Sequence, residues 1–462
     1  MPFFEKVEIT DVGAEGKAIA RIDDMVTFVS MVAPGDIVDL QVTRKRNRFA
    51  EARVTHYHKL SDIRVQAPCE HFGVCGGCKW QHLPYHEQLK YKEKQVVDTL
   101  KRIGKLELPE VNPILGSKEE YFYRNKLEFT FSNRRWYTRE EIDAGNDFKN
   151  WNSLGFHVPG MFDKVVNINK CWLQSEPSNR IRNYLREYAE EHELEFFDTL
   201  NLGGFLRNLI IRTSTMEEIM VILSFYREEQ RERTALLESL ANEFPQITSL
   251  MYAINTKTND TLYDQDIQVF KGNDHILEQM EDLKFRIGPK SFFQTNTLQS
   301  LELYRKVREF AELTGKELVY DLYTGTGTIA NFLARSAKNV IGIESVPEAI
   351  SDARINSEIN GISNTDFFSG DIKDMLSKEF LDIHGRPDLV VTDPPRIGMH
   401  RSVVQTLMET KPERIIYVSC NPATQARDIE MMSGLYKLEK MQPVDMFPHT
   451  HHVENVVLLR LK

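Results

Sequence analysis

Leu318-Val-Tyr-Asp321-Leu-Tyr-Thr-Gly325-Thr-Gly327-Thr-Ile-Ala330 decides the fold. A short apolar run ends in an acid, two glycines follow at G-x-G spacing, and an apolar stretch of helical character opens behind them. That order is the strand, turn and helix of an open α/β sheet. Such sheets bind ligands at the carboxyl ends of their strands, where glycines let the backbone pass closely beneath. Glu344 ends the next apolar run, 23 residues after Asp321, where a carboxylate suits the two hydroxyls of a ribose. The third glycine of the dinucleotide fingerprint is missing, and the acid ahead of the glycines would repel a pyrophosphate. A cationic cofactor without phosphate fits better, and S-adenosyl-L-methionine meets that description. A glycine turn by itself is equally a structural turn; Glu344 supplies the second sign of a ligand.

From Phe285 onward, strands and helices alternate. Strands are expected at 318–321, 339–344, 389–393, 415–419 and 456–459, with helices near 298–311, 329–337, 347–359 and 403–410. This rhythm predicts a parallel, doubly wound, Rossmann-like domain over 285–462. At the other end, 5–58 reads as short strands broken by Gly and Pro turns, a small β-barrel of the oligonucleotide-binding kind over 1–60. Arg44-Lys-Arg-Asn-Arg48 lies in its last hairpin, either a solvated loop or a phosphate contact. The 61–284 stretch between them predicts an α+β domain. A helix is expected over 85–103, with Leu89, Val96, Val97 and Leu100 at helical spacing, and a strand over Tyr121–Phe131 alternates basic with aromatic side chains.

The whole chain of 462 residues carries a net charge of −10, which argues against indiscriminate coating of nucleic acid. The charge is uneven, however: residues 61–140 hold fourteen Lys and Arg against eleven Asp and Glu, so an RNA surface is expected in the first third and local. No apolar stretch reaches the roughly 18–20 residues of a membrane span, and the N-terminus has no secretory pattern. Five cysteines, an odd number in a long chain, fit a reducing cytoplasm. Cys69, Cys75 and Cys78 form C-x5-C-x2-C, with Cys171 a distant fourth; on spacing alone, zinc and an iron–sulfur cluster suit four thiolates equally.

Cys420 stands apart in Tyr417-Val-Ser-Cys420-Asn-Pro, at the carboxyl end of a strand facing the cofactor crevice. An isolated cysteine is often a small buried hydrophobe. Beside a methyl sulfonium it has another use. Carbon 5 of a pyrimidine is a poor nucleophile until a thiolate adds at carbon 6, after which a base must take the carbon-5 proton. Glu454 and the nearby His449, His451 and His452 are candidates for that base; the histidines also allow a metal reading, without a clear fourth partner. Asp393, in Thr392-Asp393-Pro-Pro-Arg396, is placed to hydrogen-bond the imide N–H of a base. Arg396 stands where amine-directed methyltransferases carry an aromatic residue, which argues against exocyclic amine chemistry.

D-L-Y-T-G-T-G-T, V-T-D-P-P-R, Y-V-S-C-N-P-A-T-Q-A-R-D and D-M-F-P-H-T-H-H-V-E, in order, resemble the motifs of the RNA uracil-C5 methyltransferases. Upstream, the barrel resembles a TRAM domain, and the cysteines resemble the iron–sulfur site of the 23S ribosomal RNA members. The resemblance implies Cys420 as nucleophile and Glu454 as base. It places Gln294, Tyr323, Glu344 and Asp393 around cofactor and target, with Asp321, Gly325 and Asp371 at the cofactor. Tyr323-Thr324 and Thr328 depart from the usual family loop while leaving its backbone cradle intact. It further implies that Cys69, Cys75, Cys78 and Cys171 hold one 4Fe–4S cluster, structural or RNA-folding in role, and that residues 81–112 pack on the catalytic domain. Because the transfer RNA member lacks barrel and cluster, the resemblance points to 23S ribosomal RNA, a flipped loop uridine and a monomer. Transfer RNA, a second ribosomal site, and a non-catalytic iron–sulfur RNA-binding protein are the alternatives. Aromatic residues over 121–136 are either core or stacking partners for neighbouring bases.

Overall fold

The computed structural model describes residues 2–145 and 150–462. Phe3–Val12, Ala18–Ile22, Met25–Val29, Ile37–Lys45 and Phe49–Lys59 close into a five-stranded barrel. Its core is small and aliphatic, built on Ile9, Ala20, Val29, Val38 and Leu40. The Arg44–Arg48 run is fully exposed at the tip of the last hairpin.

The central unit is an eight-stranded sheet whose middle strands, Lys126–Ser132, Leu206–Thr213 and Ile219–Phe225, pair antiparallel. Strand Ser249–Ile254 lies parallel to Ile219–Phe225, as the crossover helix Gln230–Glu243 between them requires. The strand expected over Tyr121–Phe131 begins only at Lys126. Tyr121–Asn125 leaves the sheet because its backbone bonds go elsewhere: the Phe122 and Arg124 N–H groups donate to Trp172 and Leu173 carbonyls, and the Asn125 N–H to Thr295 O.

The third unit is a seven-stranded sheet. Its order is Thr365–Ser369, Asn339–Glu344, Leu318–Leu322, Leu389–Thr392, Arg414–Ser419, Glu454–Leu461, Tyr436–Val444. The first five run parallel, while Glu454–Leu461 is antiparallel to both its neighbours. The expectation of a wholly parallel sheet is thus corrected. The 445–453 connection contains no helix, so the last strand can only return as a hairpin. Alternate residues of the central strands feed two apolar layers. Val319, Val391, Ile416 and Val456 lie on one face, and Tyr320, Val390, Tyr417 and Val457 on the other. Helix Tyr85–Arg102 adds Val96 and Leu100 to the second layer and packs on helix Pro422–Met432. The line between 284 and 285 falls within strand Leu283–Ile287, whose hairpin with Ile276–Met280 shares its core with the first layer. No helix among the described residues is long and apolar enough to cross a membrane.

Candidate active site

The cofactor loop is built from the backbone. Strand Leu318–Leu322 ends at Tyr323, whose φ of +64° is unusual for a bulky residue. It is held there because the Tyr323 and Thr324 N–H groups both donate to Ile343 O, at 3.0 and 3.1 Å. Gly325 and Gly327 follow at φ +55° and +74°. A Cβ on Gly327 would come within 2.9 Å of Ala353 Cβ, so that glycine serves helix packing; a Cβ on Gly325 would meet nothing within 4 Å, so that one faces open space. Glu344 bridges the two strands: its Oε2 accepts from Gly325 N at 3.2 Å, and its Oε1 accepts from Ser345 N and Val346 N. Asp321 lies beneath, 1% exposed, accepting from Thr324 Oγ1 at 2.5 Å. Burial pushes its carboxyl up to about 7; the Thr324 hydroxyl opposes this and the Asp393 charge adds to it. Two acids and an open glycine turn suit a cationic ligand and disfavour a phosphate. Asp371 caps the short helix Ile372–Met375 and pairs with Lys373 at 2.9 Å. Gln294 precedes Asn296, the cap of helix Thr297–Ala311, and its carbonyl accepts from Asn125 Nδ2 at 2.9 Å.

The reacting end lies on the adjacent strands. Ser419 pairs with Asn455 and Val418 with Val456, so Cys420 and Glu454 are each the next residue beyond that register, and the Glu454 charge acts on the Cys420 thiol. Asp393 follows Thr392, which pairs with Tyr417 on the other edge of the same strand. Burial pushes the Cys420 thiol up to about 11, helped by the charges of Glu454 and Asp393 and opposed by Arg396. Glu454, 6% exposed, is held well above the usual carboxylate range by burial and then by Asp393, again against Arg396. Burial likewise raises Asp393 to about 7. Arg396 is itself positioned by its backbone: its carbonyl accepts from Asn421 Nδ2 at 3.0 Å and Thr424 Oγ1 at 3.2 Å. Tyr304 is buried against the same group, its hydroxyl raised by burial and by the charges of Asp393, Asp321 and Glu454.

The loop before Glu454 is tied to every unit of the molecule. His449, at φ +65°, donates its N–H to Gln88 Oε1 at 2.8 Å and accepts at its carbonyl from Lys79 N and Trp80 N. Its ring stacks on Tyr121 at 4.3 Å. Asp445 forms a fully buried ion pair with Lys92 at 2.6 Å. Tyr123 donates to Pro448 O at 2.9 Å, and Gly16 of the barrel lies against His451. Burial lowers His449, His451 and His452 to about 4, 3 and 4. Their rings are neutral at pH 7, and His449 anchors the loop through its backbone bonds and its stack on Tyr121.

The model of the tRNA (uracil-5-)-methyltransferase family matches residues 210–462, and that of the TRAM domain matches 5–55. The chain belongs to the tRNA (uracil-5-)-methyltransferase family. As a member of this family it is an RNA methyltransferase. It is 60% identical to an uncharacterized RNA methyltransferase of Bacteroides thetaiotaomicron, over 97% of this chain and 100% of that one. A second such protein, from Chlorobaculum tepidum, is 41% identical over 98% and 95%. The crystal structure of the Pyrococcus abyssi tRNA (uracil-54, C5)-methyltransferase with S-adenosyl-L-homocysteine is similar at a TM-score of 0.75. It is 29% identical, covering 98% of this chain and all of that one. That span includes the barrel, so a barrel does not by itself separate ribosomal from transfer RNA enzymes of this family.

Among the described residues, no three or more His, Cys, Asp or Glu close on a point that would hold a metal ion. A zinc ion needs its thiolates about 2.3 Å from one centre. The four cysteines do share a neighbourhood: Cys75 and Cys78 pack on the core that contains Cys171. Burial raises all four thiols, Cys75 to about 12, with the other cysteines adding to the shift at Cys75 and Cys78. Arg396, Tyr304, Lys92 and Asp445 are not legible as site residues in the sequence. Arg396 gives one signal, its place at the end of the Asp393 turn; the others depend on neighbours far away along the chain.

Proposed function

We propose that this methyltransferase converts a uridine of 23S ribosomal RNA to 5-methyluridine, with S-adenosylmethionine as donor. The observation that carries the reading is the meeting of Cys420, Glu454 and Asp393 at neighbouring strand ends, where the charges of Glu454, Asp393 and Arg396 act on Cys420 and those of Asp393 and Arg396 act on Glu454. The donor supplies an electrophilic methyl group on a positively charged sulfur. Gly325 leaves room for it, Glu344 takes its ribose hydroxyls, and Asp321, Tyr323, Gln294 and Asp371 line its surroundings. Asp393 accepts the imide N–H of the uracil. Cys420 reacts as its thiolate: its sulfur bonds to carbon 6, which makes carbon 5 the nucleophile that takes the methyl group and releases S-adenosylhomocysteine. Glu454 then removes the carbon-5 proton, the carbon–sulfur bond breaks, and the thiolate returns. The ring gains a methyl and loses a proton. The uridine must leave its stack to reach Cys420, so an unpaired loop is the expected substrate.

We further propose that Cys69, Cys75, Cys78 and Cys171, which lie near one another, hold a 4Fe–4S cluster, with zinc as the alternative that four thiolates equally allow. It would brace the segment leading to Lys79 and Trp80. We further propose a cytoplasmic setting, which an odd number of cysteines in a long chain fits, and a monomer. A second reading, transfer RNA as substrate, is favoured by the likeness to the Pyrococcus enzyme over 98% of the chain.

The test is tritium release from carbon-5-labelled uridine in ribosomal and transfer RNA. Wild type should release tritium from one of them, Cys420→Ala from neither, and Glu454→Gln should accumulate a covalent protein–RNA adduct. Release by Cys420→Ala at the wild-type rate would overturn the mechanism. Release from transfer RNA alone would select the second reading.

A further inference from the structure

Phe122 sits where a bulky residue has no packing reason to be. Its φ is +54°, and the residue is 43% exposed. The residues on either side are committed to the protein: Tyr121 stacks on His449 and the Tyr123 hydroxyl donates to Pro448 O. The Phe122 and Arg124 N–H groups, donating to Trp172 O at 2.8 Å and Leu173 O at 2.7 Å, hold the left-handed turn between them. That turn swings the Phe122 ring outward against Trp172, centroids 5.7 Å apart and planes tilted by 34°. Strained backbone kept in place by its neighbours marks functional positions.

The surroundings have the chemistry of single-stranded nucleic acid recognition. Lys170 holds its ammonium 4.3 Å from the Trp172 ring with the side chain 44% exposed, and it pairs with Glu176 only at 4.0 Å. The Arg124 guanidinium lies 5.6 Å from the Phe447 ring, in the loop that leads to Glu454. Asn125 continues the same wall to Gln294. The segment carrying the exposed ring is thus tied by Tyr121 and Arg124 to the loop that leads to Glu454, and Trp172, which backs the ring, carries the Lys170 ammonium. Aromatic faces flanked by cations take unpaired bases whatever their identity.

We propose that Phe122, backed by Trp172, is a stacking shelf for an unpaired RNA base next to the target nucleotide, with Lys170 and Arg124 meeting the flanking phosphates. The proposal rests on the RNA uridine reading above and adds where the neighbouring nucleotide goes. The full-length protein is tested with a uridine-containing RNA hairpin loop and with versions carrying an abasic site at each loop position beside that uridine. Phe122→Ala should weaken binding of the intact loop about 5- to 100-fold, as loss of one stacked base does. It should raise KM for RNA while leaving KM for the methyl donor near wild type. Phe122→Trp should bind within about threefold of wild type, since a larger ring restores the face. Phe122→Gly, whose backbone prefers this φ, should fold normally and bind as weakly as Phe122→Ala, which separates loss of the ring from loss of structure. One abasic position should weaken wild type by the same factor and Phe122→Ala hardly further, since both remove the same stacking. Unchanged binding by Phe122→Ala, or a loss equal at every abasic position, overturns the shelf. Because binding is read separately from tritium release, absence of release by wild type would fail the uridine reading and leave the shelf to stand or fall on affinity.

Discussion

Cys420, Asp393 and Glu454 form a group in which every acid is harder to ionise than in water, and this predicts a pH profile. Burial raises Asp393 to about 7, and burial with the neighbouring charges raises the Cys420 thiol to about 11. The proposed chemistry uses the ionised forms of thiol and carboxylates, so raised values move the active range upward. We expect kcat/KM to fall as pH drops through about 7 and to climb on the alkaline side, measured as a pH–rate profile of the free enzyme. A profile flat down to pH 5 would contradict the assignment. Arg396 is the cation that opposes the shifts of Cys420 and Glu454. Arg396→Gln should lower kcat/KM at neutral pH by on the order of tenfold or more, one pH unit's worth of ionisation, and recover part of it at high pH. A profile superimposable on wild type would remove Arg396 from the chemistry.

Among elements, the two glycines of the cofactor turn do different work. Gly327→Ala forces a Cβ to within 2.9 Å of Ala353 Cβ and 3.0 Å of Phe367 at φ +74°, and should cost about 1–3 kcal/mol in urea unfolding. Gly325→Ala meets no atom within 4 Å, so it should cost less stability and act mainly by raising KM for the methyl donor. Equal losses of stability would contradict that division. The 445–453 loop has its own keystone. Lys92→Met strands Asp445 in a site where both side chains are 0% exposed, and breaking one partner of such a pair costs about 3–5 kcal/mol. Lys92→Met combined with Asp445→Leu should regain much of the stability but little activity, since Asp445 also accepts from Phe447 N at 3.0 Å and shapes the approach to Glu454.

Across the whole molecule, the barrel, the central unit and the catalytic sheet meet at that one loop. Against the net charge of −10, the exposed Arg44–Arg48 run is a candidate phosphate contact. Replacing Arg44, Lys45, Arg46 and Arg48 with Ala should weaken RNA binding. It should also flatten the plot of log affinity against log salt by about one unit for each phosphate no longer neutralised, read by titration at several ionic strengths. An unchanged slope would make the run a solvated loop. By itself, the sequence determined what local spacing can encode. The barrel followed from its short strands and turns, and helix 85–102 from its period. The strand, turn and helix of the proposed cofactor loop followed from its glycines, and the proposed nucleophile was visible as a cysteine at a strand end. Helix Pro422–Met432 escapes a reading by apolar period although Asn421 and Pro422 mark its start, and edge strand Tyr436–Val444 is hidden by its charges. Tyr121–Asn125 reads as strand because its alternation is genuine, but its hydrogen-bond partners lie at 172–173 and 295. Only the tertiary structure decided that the last strand runs antiparallel, since strand direction depends on partners far away in the chain. That reversal, with its register, brings Glu454, at the start of the last strand, beside the strand end that leads to Cys420.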